Sequence, residues 1–146
     1  MFVVNEDGSV LDKDGRVIFF GTDRCIQNIV EGDCCFICGQ SRDSVPFNDE
    51  HVIPDWLLRR FELHGDEIEL PNAAGLRYGK LKVPCCAECN SRMSDVFEKP
   101  ISQLLTSGYQ SVAEELKRNG PWPLFSWMAL LFFKALQEQV SSLSPR

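Results

Sequence analysis

Two short cysteine motifs constrain the fold of this chain more strongly than any other feature of its sequence. Cys35 pairs with Cys38, and Cys86 with Cys89, each across two intervening residues. Such a pair forms a tight turn that presents two sulfur atoms to one ion, and four thiolates complete the closed tetrahedral site of a structural Zn²⁺. Binding of one ion at both turns closes a long loop and contributes on the order of 10 kcal/mol in model peptides, comparable with the stability of a small domain. The sequence therefore predicts a zinc-stapled core.

The register of the two motifs has an alternative, because a further cysteine precedes each of them. Cys34 could pair with Cys38, and Cys85 could pair with Cys89. We favour the two-residue spacing, which is typical of structural zinc sites. Cys25 stands alone and is expected to be a small core residue.

The length and composition are those of an ordinary soluble domain, with 146 residues of which 44% are hydrophobic and 25% charged. The first residues lack a basic stretch followed by an apolar segment, so we expect no secretory signal and a cytoplasmic protein. Seven cysteines with short fixed spacings then indicate metal binding rather than a disulfide framework.

Residues 1–33 are expected to form an N-terminal β-meander. Asp7-Gly8 and Asp14-Gly15 are strong hairpin-turn signals, and each separates short apolar runs. The expected strands cover 2–4, 10–11 and 16–20. This segment carries no obvious chemistry and is interpreted as structural or as a partner surface.

Residues 34–100 are expected to form the core, and residues 101–146 a helical extension. In the core we predict a strand over 47–53, a helix opened by Pro54, a loop over 66–79, a strand over 80–83 and a helix over 90–98 that stops before Pro100. In the extension we predict helices over about 101–117 and 123–139. The fold class is therefore α+β.

The C-terminal helix is strongly apolar over residues 122–140. Its apolar run is too short to span a bilayer, and Lys134 follows it, so no membrane segment is expected. A helix of this kind is buried or faces a partner, which could be a second copy in a homodimer or a larger protein assembly.

The long interval between the cysteine motifs contains an unusual string of polar residues. Glu50 and His51 follow Asp49, and Pro54 lies shortly downstream. A lone histidine is usually an ordinary packed or solvated side chain. Here Asn90 directly follows the second motif, where it could cap a helix or offer an amide oxygen to a hard divalent ion. The combination favours a functional site.

These residues resemble the HNH endonucleases, which are ββα-metal (His-Me finger) nucleases with a treble-clef-like core. The resemblance covers roughly residues 34–98: a Cys-x-x-Cys motif, Glu50-His51 with a downstream proline, an asparagine in the intervening loop, and a second Cys-x-x-Cys motif followed by Asn90. It implies that His51 is the general base and that Glu50 and Asn90 bind a catalytic Mg²⁺ or Mn²⁺. Asn72 is the candidate for the residue that pins the loop bearing the base.

Two details of this assignment stay open. The last ligand position, often histidine in the family, is Asn90 here, which suits Mg²⁺. On a regular strand Asp49 rather than Glu50 would share a face with His51, so Asp49 is the alternative ligand unless the chain bends there. His64, the other histidine, is expected to be a surface residue at the end of a helix.

The resemblance implies DNA as substrate, with RNA retained as an alternative. The formal net charge of −6 opposes this, although residues 1–33 alone carry seven acidic and three basic groups. A DNA-facing surface must then be a local basic patch, for which Arg92 and Lys82 are the proposed substrate contacts. Further basic candidates are Arg77, Lys80 and Lys99. The competing interpretation is a non-catalytic treble-clef zinc module that binds nucleic acid or protein.

Overall fold

The structure is a computed structural model that describes residues 2–69 and 75–143, and it combines helices with small sheets. The mixed helix and strand class is confirmed, whereas the treble-clef likeness of the core remains a prediction. The strands are β1 (Val3–Val4), β2 (Val10–Leu11), β3 (Val17–Phe19), β4 (Glu50–His51), β5 (Glu67–Glu69), β6 (Gly75–Arg77) and β7 (Lys82–Val83). The α-helices are α1 (Thr22–Cys25), α2 (Asp55–Arg60), α3 (Ala87–Met93), α4 (Lys99–Thr106), α5 (Tyr109–Asn119) and α6 (Trp122–Leu143).

The chain divides into two compact units. Unit 1 comprises Met1–Glu50, Val83–Asn90 and Gln137–Arg146, and unit 2 comprises His51–Lys82 and Ser91–Leu136. The three-part division expected from the sequence remains a prediction.

The N-terminal segment of unit 1 forms the expected meander, with three antiparallel strands in the order β1-β2-β3. Both expected turns close with main-chain hydrogen bonds, from Gly8 N to Asn5 O at 3.0 Å and from Gly15 N to Asp12 O at 3.1 Å. A π-helical turn, Ile26–Val30, continues α1 after the sheet.

The segment from 66 to 79, expected to be a loop, contains two short paired strands within its described residues. β5 pairs with β6 in antiparallel register, with Glu67 opposite Arg77. The side chains of these two residues form an ion pair of 3.5 Å. Strands of three residues offer little periodicity to detect, and the nearby glycine and proline residues indicated a loop.

The helices after the second cysteine motif also differ from expectation. α3 begins at Ala87 rather than Asn90, and a π-helical segment, Ser94–Glu98, leads directly into α4. Pro100 lies in the first turn of α4, where a missing N–H is tolerated, so it does not end the helical run. The helix expected over 101–117 is broken at Gly108, whose φ of +93° is a conformation that residues with side chains rarely adopt.

The strand expected over 47–53 is shorter in the structure, where β4 covers only Glu50–His51. The residues on either side of β4 pair in the same antiparallel register. β4 pairs with β7. In unit 1, Asn48 N donates to Cys85 O at 3.2 Å, beside an isolated bridge between Phe47 and Cys86. In unit 2, Val52 N donates to Leu81 O at 2.9 Å. This register puts Lys82 opposite His51 within unit 2, at a pair without mutual hydrogen bonds, where side chains approach most closely.

Each unit has its own buried apolar residues. In unit 1 they include Ile29, Phe36 and Val83, close in sequence to the cysteine motifs. In unit 2 Leu58, on α2, is fully buried, and Trp56 of the same helix stacks on Trp127 of α6, with ring centroids 6.2 Å apart. Among the described residues, no helix has the length and apolarity needed to cross a membrane.

Candidate metal centre and nuclease site

Unit 1 brings four cysteine sulfur atoms together at one point. The Sγ atoms of Cys35, Cys38, Cys86 and Cys89 all lie within 4.8 Å of one another. Those of Cys38 and Cys86 are 3.8 Å apart. A tetrahedral zinc ion with Zn–S bonds of about 2.3 Å requires sulfur atoms about 3.8 Å apart, so this donor set fits Zn²⁺. The two-residue register is the one that assembles, and Cys34 and Cys85 are not members of the cluster.

The first motif is a tight turn held by its own main chain. Gly39 N donates to Cys35 O at 2.7 Å, and Cys35 N donates to Gln40 O at 2.8 Å. Gly39 has a φ of +71°, and a Cβ atom there would lie 2.7 Å from the ring of Phe20. The glycine after the motif is therefore required both for the turn and for the close approach of Phe20.

The second motif forms the start of α3. Asn90 N donates to Cys86 O at 3.0 Å, as in a helical turn, and Cys89 N donates to the Sγ of Cys86 at 3.5 Å. The two motifs are linked by a hydrogen bond from Phe36 N to Pro84 O at 3.0 Å. Main-chain geometry thus holds both pairs of sulfur atoms in place.

The cysteines of the cluster differ in proton affinity. The thiol of Cys85 donates to Cys35, and this hydrogen bond lowers the pKa of Cys35 to about 4. Burial raises the pKa of Cys38 to about 11 and also raises the pKa of Cys89. A divalent cation favours the thiolate form of all four ligands, so metal binding must displace protons from Cys38 and Cys89.

Asp49 and Glu50, the alternative ligands for a catalytic metal, occupy different environments. Asp49 has a φ of +21°, so the chain bends immediately before β4. Its carboxylate pairs with Arg42 at 2.5 Å. Glu50 is only 7% exposed. The side chain of Asp49 is 37% exposed, so Glu50 is the more shielded of the two acids.

Asn90 and Asn72 are the remaining residues expected at the nuclease site. Asn90 is half-buried on α3, in the same unit as Glu50. Its main-chain N–H already takes part in the helix, so it does not cap α3 at the N-terminus. Asn72 lies outside the described residues.

The main chain of His51 is held by a buried lysine. Lys134 on α6 has no solvent exposure, and its Nζ donates to the carbonyl oxygen of His51 at 2.9 Å. The same ammonium lies 3.5 Å from the Oε1 of Glu98. From the sequence, Lys134 is expected only to follow an apolar run. A single charge inside an apolar helix was the available signal, because a buried charge needs a specific partner.

His64 is exposed, as expected for a surface residue that follows a helix, and its ring also lies against that of His51. The two ring centroids are 6.4 Å apart, with planes at 83°, an edge-to-face arrangement. The Nε2 of His64 lies 3.2 Å from the Oδ1 of Asp55, which also pairs with Arg59 at 2.6 Å. The one indication of this contact in the sequence is that His51 and His64 are its only two histidines.

The proposed DNA contacts are exposed. Lys82 and Arg92 have exposed side chains and no ion pair within the described part of the chain. Arg77 and Lys99 instead pair with Glu67 and Asp95. Lys80 is also exposed.

Among the described residues, the four cysteines are the one cluster of three or more histidine, cysteine or acidic side chains close enough to hold a metal ion. A Mg²⁺ ion needs fewer protein ligands, because it takes one or two carboxylates together with water and substrate phosphate. Comparison of the chain with known protein families, curated proteins and solved structures found no match.

Proposed function

We propose that this chain is a divalent-metal-dependent endonuclease of the HNH type that hydrolyses DNA phosphodiester bonds on a zinc-stapled scaffold. The observation that carries the proposal is the four-cysteine cluster, which assembles in the register that leaves Asn90 directly after its last ligand. The HNH resemblance requires this register, with Glu50-His51 between the two motifs.

Each proposed catalytic residue has a role that its chemistry suits. His51 takes a proton from the attacking water, which a neutral imidazole can do near pH 7. Glu50 and Asn90 hold the catalytic Mg²⁺ or Mn²⁺ through oxygen atoms. When bound, that ion supplies charge stabilisation to the phosphoryl group and to the leaving 3′ oxygen. The products are a 5′ phosphate and a 3′ hydroxyl.

Several observations support these roles. A buried carboxylate at Glu50 is compatible with a ligand, and the bend at Asp49 takes that residue out of the regular strand that would have put it on the same face as His51. The hydrogen bond from Lys134 fixes the main chain of His51, and a base must be held in place to work efficiently. Lys82 stands across the sheet from His51 in the antiparallel register and would meet a phosphate near the base.

The test compares cleavage of supercoiled DNA by the wild-type chain and by His51→Ala and Asn90→Ala, with Mg²⁺, Mn²⁺ or EDTA. Wild type is expected to cleave with either metal and not with EDTA, and both variants should lose at least a factor of about 100. Asn5→Ala, which removes an exposed amide from the meander, is the matched control for Asn90. Cleavage that survives His51→Ala would overturn the assignment of the base.

The same experiment distinguishes the competing function. A folded, zinc-loaded chain that binds duplex DNA without cleaving it in either metal would favour the non-catalytic zinc module. The four-cysteine cluster and the net charge of −6 are both compatible with such a module.

A further inference from the structure

We infer that His64 is a positioning residue for the imidazole of His51, a role that rests on the proposed nuclease function. The two rings meet edge to face, with centroids 6.4 Å apart and planes at 83°. Aromatic pairs favour this geometry at this separation, so the contact restricts the orientation of the His51 ring.

His64 is itself held from two sides. Asp55 lies 3.2 Å from its Nε2, and this carboxylate is anchored by Arg59 at 2.6 Å. On the other side the main chain of Gly79 approaches so closely that a Cβ atom there would lie 3.0 Å from the Nδ1 of His64. The ring is 46% exposed, and Asp55 and the Gly79 main chain limit its movement on two sides.

Orientation matters for a general base, because the ring nitrogen must face the water whose proton it accepts. The hydrogen bond from Lys134 is made to the main-chain oxygen of His51 and does not involve its ring. Contact with His64 acts on the ring itself. The two contacts therefore restrict different parts of the same residue.

The first test replaces His64 by alanine or by phenylalanine in the full-length, zinc-loaded chain. His64→Ala should lower kcat for DNA cleavage by about tenfold to a hundredfold and leave KM nearly unchanged. His64→Phe keeps a ring in contact with His51 and should recover most of the lost kcat. A phenylalanine variant as slow as the alanine variant, or an alanine variant as fast as wild type, would overturn the positioning role.

A matched glycine pair tests the same contact without altering His64. In Gly79→Ala the new Cβ lies 3.0 Å from the Nδ1 and 3.1 Å from the main-chain oxygen of His64, so His64 must shift by a few tenths of an ångström. In Gly65→Ala the new Cβ meets no heavy atom within 4 Å. The first variant should lower kcat and the second should not, and equal rates for the two would count against the inference.

NMR of the imidazole rings tests the contact of His64 with His51 independently of DNA cleavage. The chain has two histidines and therefore only two sets of ring signals to assign. His64→Ala should shift the His51 ring protons by removing the neighbouring ring current, whether or not the protein cleaves DNA. Absence of cleavage by wild type in every metal would reject the nuclease. An unshifted His51 signal would reject the ring contact.

An independent observation concerns α6, whose exposed face is apolar while its opposite face buries a charge. Trp122, Phe125 and Phe132 are 75%, 59% and 67% exposed, whereas Lys134 is fully buried. The residues Trp122, Phe125, Ala129, Phe132 and Leu136, here called the α6 stripe, are all exposed and recur at alternating spacings of three and four. That spacing is typical of helices that pack along one another.

We propose that the α6 stripe binds the same stripe of a second copy of this chain. With the flanking Met128 and Phe133, the stripe exposes on the order of 600 Å² of apolar surface, estimated from the areas that large aromatic side chains bury. A standard interface buries about 800 Å² per partner, so a pair of stripes approaches the area that a stable dimer needs. Residues 122–136 carry one charge, that of the buried Lys134, so the stripe lacks a charge that would select an acidic or basic partner.

Sedimentation of the full-length chain tests the dimer. Wild type should sediment as a dimer in the micromolar range, and the double variant Phe125→Glu/Phe132→Glu should be a monomer with unchanged zinc content. Tyr109→Glu, at an exposed aromatic residue of α5, is the matched control and should remain dimeric. A monomeric wild type, or a dimer that persists in the double variant, would overturn the proposal.

Discussion

Lys134 on α6 donates a hydrogen bond of 2.9 Å to the main-chain carbonyl of His51 on β4. The two residues are 83 positions apart in the chain, and the lysine is fully buried. Its ammonium also lies 3.5 Å from Glu98. A charge is stable in such a place only when its partners are positioned to receive it, so the C-terminal helix and the strand of the proposed base depend on each other.

Replacement of Lys134 should therefore destabilise the protein strongly. Lys134→Met keeps most of the side-chain volume but removes the donor to His51 and leaves Glu98 without this cation. The expected loss in the free energy of unfolding is about 3 kcal/mol, measured by urea denaturation. Lys117→Met, at an exposed lysine of α5, should change it by less than about 0.5 kcal/mol. Equal stabilities of the two variants would contradict the role of the buried lysine.

One tightly held zinc ion per chain is expected, with the four clustered cysteines as its ligands. Cys38→Ser or Cys89→Ser should lose the metal and unfold, because the free energy of zinc binding is a large part of the folding free energy. Cys34→Ser should retain the metal, since Cys34 lies outside the cluster. Elemental analysis measures the metal content and circular dichroism measures the folding. A folded, metal-free wild type would contradict a structural role for zinc.

Zinc retention should weaken as the pH falls. Burial in the fold raises the pKa of Cys38 to about 11, and a cysteine of the unfolded chain, with a pKa of about 8.5, is also mostly protonated at neutral pH, so zinc binding must release that proton. Each proton released lowers the affinity by up to about tenfold per pH unit on acidification. Competition with a chelator between about pH 6 and pH 8 measures this slope. An affinity that does not change with pH would show that the ligands do not release protons on binding.

The parts of the structure that could be predicted from the sequence are those set by local rules. The meander follows from its two Asp-Gly turns, and the cysteine cluster follows from two motifs of fixed spacing. In both cases a few adjacent residues determine the geometry. The alternative register through Cys34 and Cys85 was resolved only by the fold, because both spacings are chemically reasonable.

The features that were missed depend on residues far apart in the chain. The contact of Lys134 with His51 and the packing of His64 against the same residue involve pairings that no local pattern encodes. The continuation of the helical segment into α4 past Pro100 was not predicted for a different reason. The rule that helices stop before proline is a tendency, and it fails where the proline falls in a first helical turn.

Glu50 and Asp49 can be separated as metal ligands by their amide variants. Glu50→Gln should abolish Mn²⁺ binding and Mn²⁺-dependent cleavage, because it removes the buried carboxylate. Asp49→Asn should weaken only the ion pair with Arg42 and leave Mn²⁺ binding nearly unchanged. Electron paramagnetic resonance of Mn²⁺ titrated into the zinc-loaded protein reports binding without requiring activity. Binding that survives Glu50→Gln but not Asp49→Asn would reverse the assignment.

Lys82 and Arg92 should contribute to DNA affinity through phosphate contacts. Each alanine variant should weaken binding about equally for all sequences and reduce the slope of log affinity against log salt concentration by about 1. Fluorescence anisotropy with a labelled duplex in Ca²⁺, which occupies oxygen sites while slowing hydrolysis, measures the slope. Arg16→Ala, at an exposed arginine of the meander, is the matched control and should leave the slope unchanged. If Arg16→Ala lowers the slope as much as Arg92→Ala does, the contacts are spread over the surface and are not local to the proposed site.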